Sequence, residues 1–442
     1  AHKEDLMSLY PDQEIVAKQF SEWMNSDQHV AGIWASAGFG KSHMMNYVVE
    51  QLRATSSLNI IITSMTHAAC GVLEKLARCE VRTLHSVMGW VPTYDKATGE
   101  EFLKMPKTSN LKPNTILIID EAGLCGVEEC TQLYADVRNA GAKILFVGDN
   151  KQCYPVFKKD QKPCIPAFEM SETKMELTIP KRQDPDDYIY KLALVYRAAV
   201  DGERQPKLRT LLHPKTGKGI VHDEDDIEEH MLAMFAKAKR LMDSGADPKA
   251  LHKIRALAFT NKKCIMLNRK IRNKVFKVRD ANGKYDPRPF IGETLMSNKS
   301  VPSTHEENVV ILQNNQYVTV SSVEEDEVQG LKGYWLRFQE TEEPVFCPRS
   351  IEALKQRLHE LAEVAQEKSN WEPYYRLKHG TADMRNTYAM TVNKAQGSTM
   401  QEVCIFADNF NISRDYYQKV RLMYTAVTRA THKVVIEGEL LK

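Results

Sequence analysis

The chain has 442 residues, a formal net charge of +2, 43% hydrophobic and 27% charged side chains. That balance excludes a disordered chain, and the length suggests about three domains, each able to bury a core. No apolar run of about 18 residues or more occurs, so no membrane span is expected, and the near-neutral charge gives no bulk signal for a polyanion partner.

Ala1 to Tyr10 is polar and lacks a signal-peptide core. The nine cysteines are scattered from Cys70 to Cys404 without a C-x-x-C pair, and the nearest two, Cys125 and Cys130, have no histidines at zinc spacing. A reducing cytosolic or nuclear compartment with buried free thiols is expected. Charge is uneven along the chain. Leu251–Arg279 holds ten Lys/Arg and no acid, which suggests one local basic face.

Leu9 to Phe20 opens with a turn and runs into a helix. Its Gln13 carries both a donor and an acceptor, as reading an adenine edge requires. A short apolar run then leads into A-S-A-G-F-G-K-S (Ala35–Ser42), followed by apolar residues at 44, 45, 48, 49 and 52. Strand, small-residue loop and amphipathic helix are the setting of a phosphate-binding loop. The backbone of Ala37, Gly38, Phe39 and Gly40 would wrap the phosphates at the positive end of the helix, Lys41 would meet the β- and γ-phosphates, and Ser42 would ligate Mg²⁺. Ala35 stands where the motif has its first glycine. It costs little if its φ stays negative.

Leu58–Ser64 reads as a sheet strand buried on both faces, ending in Thr66 and His67. Thr83-Leu84-His85-Ser86 is a second polar cluster. Between Met88 and Asn114, the turn Lys96–Gly99 separates Val91–Tyr94 from Glu101–Leu103, an exposed hairpin rich in aromatics (Trp90, Tyr94, Phe102). Thr115–Glu121 (T-I-L-I-I-D-E) delivers two carboxylates at the end of an apolar strand: Asp120 for Mg²⁺ and Glu121 for the attacking water. Lys143–Val147 is another strand, after which Gln152 would sense the γ-phosphate. Arg182, in L-T-I-P-K-R-Q, is a candidate for transition-state charge because its planar fork meets phosphate oxygens bidentately.

Asp184–Pro248 reads as mostly helical. Ile254–Asn261 starts a second strand–helix series, continued by Val403–Ala407 and Val434–Ile436, without its own phosphate loop. Such a sheet is expected to form the far wall of the first site. Val309–Phe346 reads as an all-β insertion, and Ser350–Lys368 as a helix with a Leu354/Leu358/Leu361/Val364 stripe. Trp371, Tyr374 and Tyr375 read as packing. The helix Tyr416–Ala430 ends in Arg429, a second candidate cation.

As a set, A-S-A-G-F-G-K-S, T-H-A-A, T-L-H-S, D-E-A-G, G-D-N-K-Q, L-T-I-P-K-R, A-F-T-N, N-K-A-Q-G-S-T and Y-T-A-V-T-R-A resemble the superfamily 1 helicases, in the 5′-to-3′ RecD-like branch and nearest the bacteriophage Dda type. The resemblance implies an α/β fold of two RecA-like parallel-sheet domains with a β-hairpin pin and a small SH3-like β-barrel insertion. The first domain would be 1–180, with the pin at about 88–111; the second 181–290 with 386–442; and the barrel with a helical tower 291–385. It implies ATP and Mg²⁺ as cofactors, Arg182 and Arg429 as arginine fingers, and Gln13 on the adenine. Single-stranded DNA would lie on Thr66, His67, Thr83, His85, Asn261, Thr391, Asn393, Lys394 and Ser398, with Phe102 as the strand-separating wedge. Asn393 stands where Dda-like sequences carry histidine. Further implications are partners in single-strand/duplex junctions, a single-strand-binding protein and replisome components, a role in replication and recombination, and a monomeric motor in the cytoplasm, the host's if phage-encoded. Two other readings remain: a single-strand translocase that displaces proteins with weak unwinding, and a single-strand-binding recombination module whose ATP site is degenerate at Ala35.

Overall fold

The computed structural model describes residues 9–94, 101–106, 111–155, 163–181, 187–223, 226–247, 249–280, 282–303 and 309–441, without the side chains of 67, 68, 72, 75, 76, 91–94 and 101–103. Two compact units result. One comprises residues 1–90, 105–264 and 390–442; the other comprises Val91–Lys104 and Ile265–Ala389.

The first unit is built on two sheets. The six-stranded sheet of its N-terminal half has the order Arg82–Thr83, Asn59–Ser64, Thr115–Asp120, Lys143–Gly148, Val30–Ala35, Thr173–Leu177, and every pairing is parallel. Val30–Ala35 and Thr115–Asp120 are buried along their whole length, because helices cover both faces of a parallel sheet. Asn59–Ser64 departs from expectation: only its second half is buried, since its start lies at the open end of the sheet. The C-terminal ends of these strands carry Ala35, Ser64, Asp120 and Gly148, so the loops after them converge at one edge.

The other six-stranded sheet contains Ile254–Ala258, Met400–Phe406 and Ala430–Glu437 in parallel register. It also takes Gly219–His222 and Leu211–Leu212 from a region expected to be helical. These segments are too short for a periodicity signal. Gly219, at φ 139°, is needed there because an added Cβ would sit 2.1 Å from the Leu211 carbonyl oxygen.

The second unit holds a five-stranded sheet of Val345–Pro348, Leu331–Phe338, Tyr317–Val328, Thr294–Ser297 and Met384–Asn386, antiparallel throughout. Leu354, Leu358 and Leu361 of the Ile351–Lys368 helix pack on Leu331, Phe346 and Leu377. The stripe ends on buried Ala365 rather than on Val364, which is 46% exposed; the helix turns 100° per residue and Ala365 follows Leu361 at i+4. Tyr375 is buried and stacks edge-on with Tyr374. Val91–Tyr94 and Glu101–Lys104 pair antiparallel, Val91 opposite Lys104, so the second strand runs one residue past the expected Leu103. Trp90, expected on an exposed insertion, is instead buried in the first unit and packs beside the His85 ring. Among the described residues no helix is long and apolar enough to cross a membrane.

Candidate active site

The loop between Val30–Ala35 and the helix Lys41–Thr55 turns on Gly38 (φ 82°) and Gly40 (φ 87°). Neither can carry a side chain, since an added Cβ would meet Tyr190 at 2.6 Å and Gln13 at 2.7 Å respectively. Ala35 ends the strand in extended backbone, outside the left-handed region, so the missing first glycine introduces no strain.

Lys41 reaches across to the carboxylates at the end of Thr115–Asp120. Its Nζ lies 2.9 Å from Asp120 Oδ1 and 3.4 Å from Glu121 Oε1. Burial works against its charge, but the two carboxylates outweigh it and hold the ammonium well above its ordinary range. Burial dominates at Asp120 and pushes that carboxyl up; at Glu121 it is overcome by Lys41 and Arg429, which hold the carboxyl low. Glu121 sits at φ 52°, ψ 36°, a left-handed conformation costing a non-glycine residue roughly 1–3 kcal/mol and typical of strained functional positions.

The next strand end contributes Asp149 and Gln152. The Gln152 amide nitrogen donates to Asp149 Oδ2 at 3.2 Å, while its buried Oε1 has no hydrogen-bond partner among the described residues. Gln152 lines the cleft, and an acceptor left unpaired there suits a water's proton. From the other sheet comes Arg429, 7% exposed. It donates to Thr425 O, Ser398 O and Thr428 Oγ1 at 3.0–3.1 Å. All three acceptors are neutral, so the guanidinium charge stays available. Gln396 adds to the groups that hold the Glu121 carboxyl low. Lys41, Asp120, Glu121, Asp149, Gln152 and Arg429 line one cleft of about 490 Å³, with Ser42, His43, Lys181, Tyr190 and Thr399 also on its walls.

The second sheet therefore does form the far wall, and the helix Tyr416–Val427 fastens it. Tyr424 Oη donates to Asp149 Oδ2 at 2.7 Å and accepts the Ala37 N–H at 3.1 Å. Arg421 donates to the carbonyls of Asn150 and Gln152 at 2.7 and 2.9 Å and lies over the Tyr154 ring. The Cys153 N–H donates to Thr425 Oγ1 at 3.0 Å. Asp149, Tyr424, Arg421 and Gln396 had no predicted role. The only sequence signals were the places of Asp149, Tyr424 and Gln396 in G-D-N-K-Q, Y-T-A-V-T-R-A and N-K-A-Q-G-S-T; Arg421 lies outside all three. Tyr424→Phe should leave the Ala37 N–H and Asp149 without this partner, costing about 1–3 kcal/mol per buried group. The measurements are denaturant unfolding and the KM for ATP, both expected to move unfavourably; an unchanged unfolding midpoint and KM would reject the bridge.

The other predicted residues are placed as follows. Gln13 is fully buried, accepts from the Tyr10 N–H at 3.1 Å and donates to Gly40 O at 3.3 Å, so its amide supports the loop and does not line the cleft. Thr66 and Thr83 cap helices through the N–H groups of Ala69 and Ser86. His85 lies 3.4 Å from Glu129. Asn261 starts the helix running to Lys274; Thr391, Asn393 and Lys394 lie at and within the short helix Val392–Ala395, and Ser398 presents its carbonyl to Arg429. Arg182 lies outside the described residues, as do the side chains of His67 and Phe102. Its neighbour Lys181 lines the cleft, pairs with Asp12 and donates its N–H to Gly38 O at 2.9 Å. The expected single basic face is thinned by burial: Arg255 donates to two carbonyls, and Arg272 is enclosed by Glu293, Tyr285 and two carbonyls.

A glycine-turned loop with lysine, a strand-end acid pair and an arginine from a second α/β sheet define a P-loop nucleotide-binding protein of the two-lobed kind. A family model described as an AAA domain matches residues 8–198, and one described as a UvrD-like helicase C-terminal domain matches 386–436. The ATP-dependent DNA helicase dda of Enterobacteria phage T4 is 24% identical over 444 residues, covering 92% of this chain and 94% of its own. Among solved structures, Pif1 helicase from Bacteroides in complex with ADP-AlF3 and single-stranded DNA has a TM-score of 0.52 at 14% identity, covering 98% of this chain and 94% of its own. The chain is thus similar in sequence to the Dda helicase over nearly its whole length and similar in fold to Pif1 helicase.

Proposed function

We propose that the protein is an ATP-dependent DNA helicase that moves 5′ to 3′ along single-stranded DNA and separates duplex by excluding the second strand. The observation that carries this reading is the shared cleft. Lys41, Asp120, Glu121 and Gln152 come from one sheet and Arg429 from the other. A triphosphate held there touches both lobes, so its binding and cleavage change how they grip each other and a bound strand. The DNA-helicase activity named for the phage T4 relative agrees with it.

Ser42 and Asp120 line the cleft together and offer two hard oxygen donors, which fits Mg²⁺ completing its shell with phosphate and water. Bound there, the ion would neutralise charge on the β- and γ-phosphates. The loop amides would orient the phosphates, Glu121 would take a proton from the attacking water, Gln152 would hold that water, and Arg182 with Arg429 would meet the charge that develops. Gln13 is the proposed adenine contact, which requires its amide to turn away from Gly40 O. Thr66, His67, Thr83, His85, Asn261, Thr391, Asn393, Lys394 and Ser398 form the proposed DNA track, and Phe102 the wedge. We take 1–180, and 181–290 with 386–442, as the motor lobes and 291–385 as the barrel and tower. The nine free thiols fit a reducing cytoplasm; burial pushes Cys70 and Cys153 up to about 11, which makes them poor nucleophiles. Single-strand/duplex junctions are the proposed substrate, a monomer the proposed motor, and a single-strand-binding protein and replisome components the proposed partners.

The test uses duplexes with one 5′ or one 3′ single-stranded tail. Unwinding only from the 5′ tail is expected, and Phe102→Ala should cut it while sparing ATPase on single strands. Unwinding only from the 3′ tail would reverse the polarity, and equal loss of both activities would reject the wedge.

A further inference from the structure

We propose that the exposed face of the Asn261–Lys274 helix, over Ile265, Met266, Arg269 and Lys274, binds a second stretch of single-stranded DNA, the displaced strand of a fork. The inference rests on the helicase reading above. It starts from the acid-free stretch Leu251–Arg279 and from what the fold does with its ten cations. Arg255 and Arg272 are buried, Lys253 pairs with Asp247 and Lys263 lies near Glu228. Arg269 and Lys274 remain exposed, and among the described residues neither is in an ion pair; Arg269 lies over the Tyr285 ring, a contact that leaves its charge unneutralised. Lys277, just beyond the helix, is also exposed.

The same face carries apolar side chains left about half exposed. Ile265 is 47% and Met266 55% exposed, while Leu267 and Ile271 on the other side are buried. At 100° per residue, Arg269 and Lys274 flank Met266 around the helix. Cations on either side of exposed apolar groups match a single strand, whose phosphates need neutralising and whose unpaired bases offer apolar faces. A duplex covers its base faces, and an acidic protein segment would not need the apolar pair.

The measurement is equilibrium binding of the full chain to a fork with two unpaired tails and to the same duplex with one tail, across a salt series. Wild type is expected to bind the fork more tightly and with a steeper salt slope. Arg269→Glu with Lys274→Glu should abolish that gain and lower the fork slope by about 1.4, two contacts at about 0.7 each. Met266→Ser should weaken the gain without changing the slope. Single-tail binding and ATPase stimulated by single strands should persist, which also reports intact folding. Equal loss on the single-tailed duplex would assign the face to the translocated strand, and no loss on either DNA would leave an acidic protein partner or a solvated face; both overturn the proposal. A wild type without DNA-stimulated ATPase would sink the helicase reading instead, while the fork-binding difference still decides this one.

Discussion

Lys41→Ala is expected to abolish ATP hydrolysis stimulated by single-stranded DNA, by at least about a hundredfold, the usual consequence of removing one preorganised transition-state donor. The geometry gives two reasons. Lys41 is the only cation among the described residues in ion-pair contact with Asp120 and Glu121, so its ammonium is already held at the place where phosphate charge arrives. Its loss also leaves two buried carboxylates side by side, which repel each other and any incoming phosphate. Steady-state phosphate release with and without single-stranded DNA decides it. Turnover within a few-fold of wild type would remove this cleft from consideration as the hydrolysis site.

Arg429→Ala should lower kcat by about 10³–10⁵ while changing nucleotide affinity far less, the range seen when an arginine finger is lost. The three groups that hold Arg429 are neutral, yet its field reaches Glu121 strongly enough to help keep that carboxyl low. Its charge is thus committed toward the cleft rather than to a structural ion pair. Because removal also strips buried carbonyls of their donor, Arg429→Lys is the control: it keeps the charge, loses the fork and should recover only part of the rate. Titration with a fluorescent nucleotide separates affinity from turnover. A kcat untouched in both variants would mean that the second sheet takes no part in the chemistry.

Much of this site was legible from local sequence. A strand, a loop with glycines at 38 and 40 and a helix beginning at Lys41 are set by short-range periodicity and backbone freedom, and so is the placement of Asp120 and Glu121 at the end of an apolar strand. Trp90 misled because an aromatic beside a hairpin reads as exposed until its partner, the His85 ring, is known.

The sequence by itself determined which residues are candidates for the phosphate chemistry and in what order, since each motif is completed within about ten neighbours. Tertiary structure alone decided that Tyr424 joins the Ala37 N–H to Asp149, that Arg421 grips the carbonyls of Asn150 and Gln152, and that Arg272 is buried rather than presented to a polyanion. Those contacts span long stretches of chain, and they exist only because packing brings two sheets, or a helix and a remote glutamate, to one spot. No local pattern encodes that encounter.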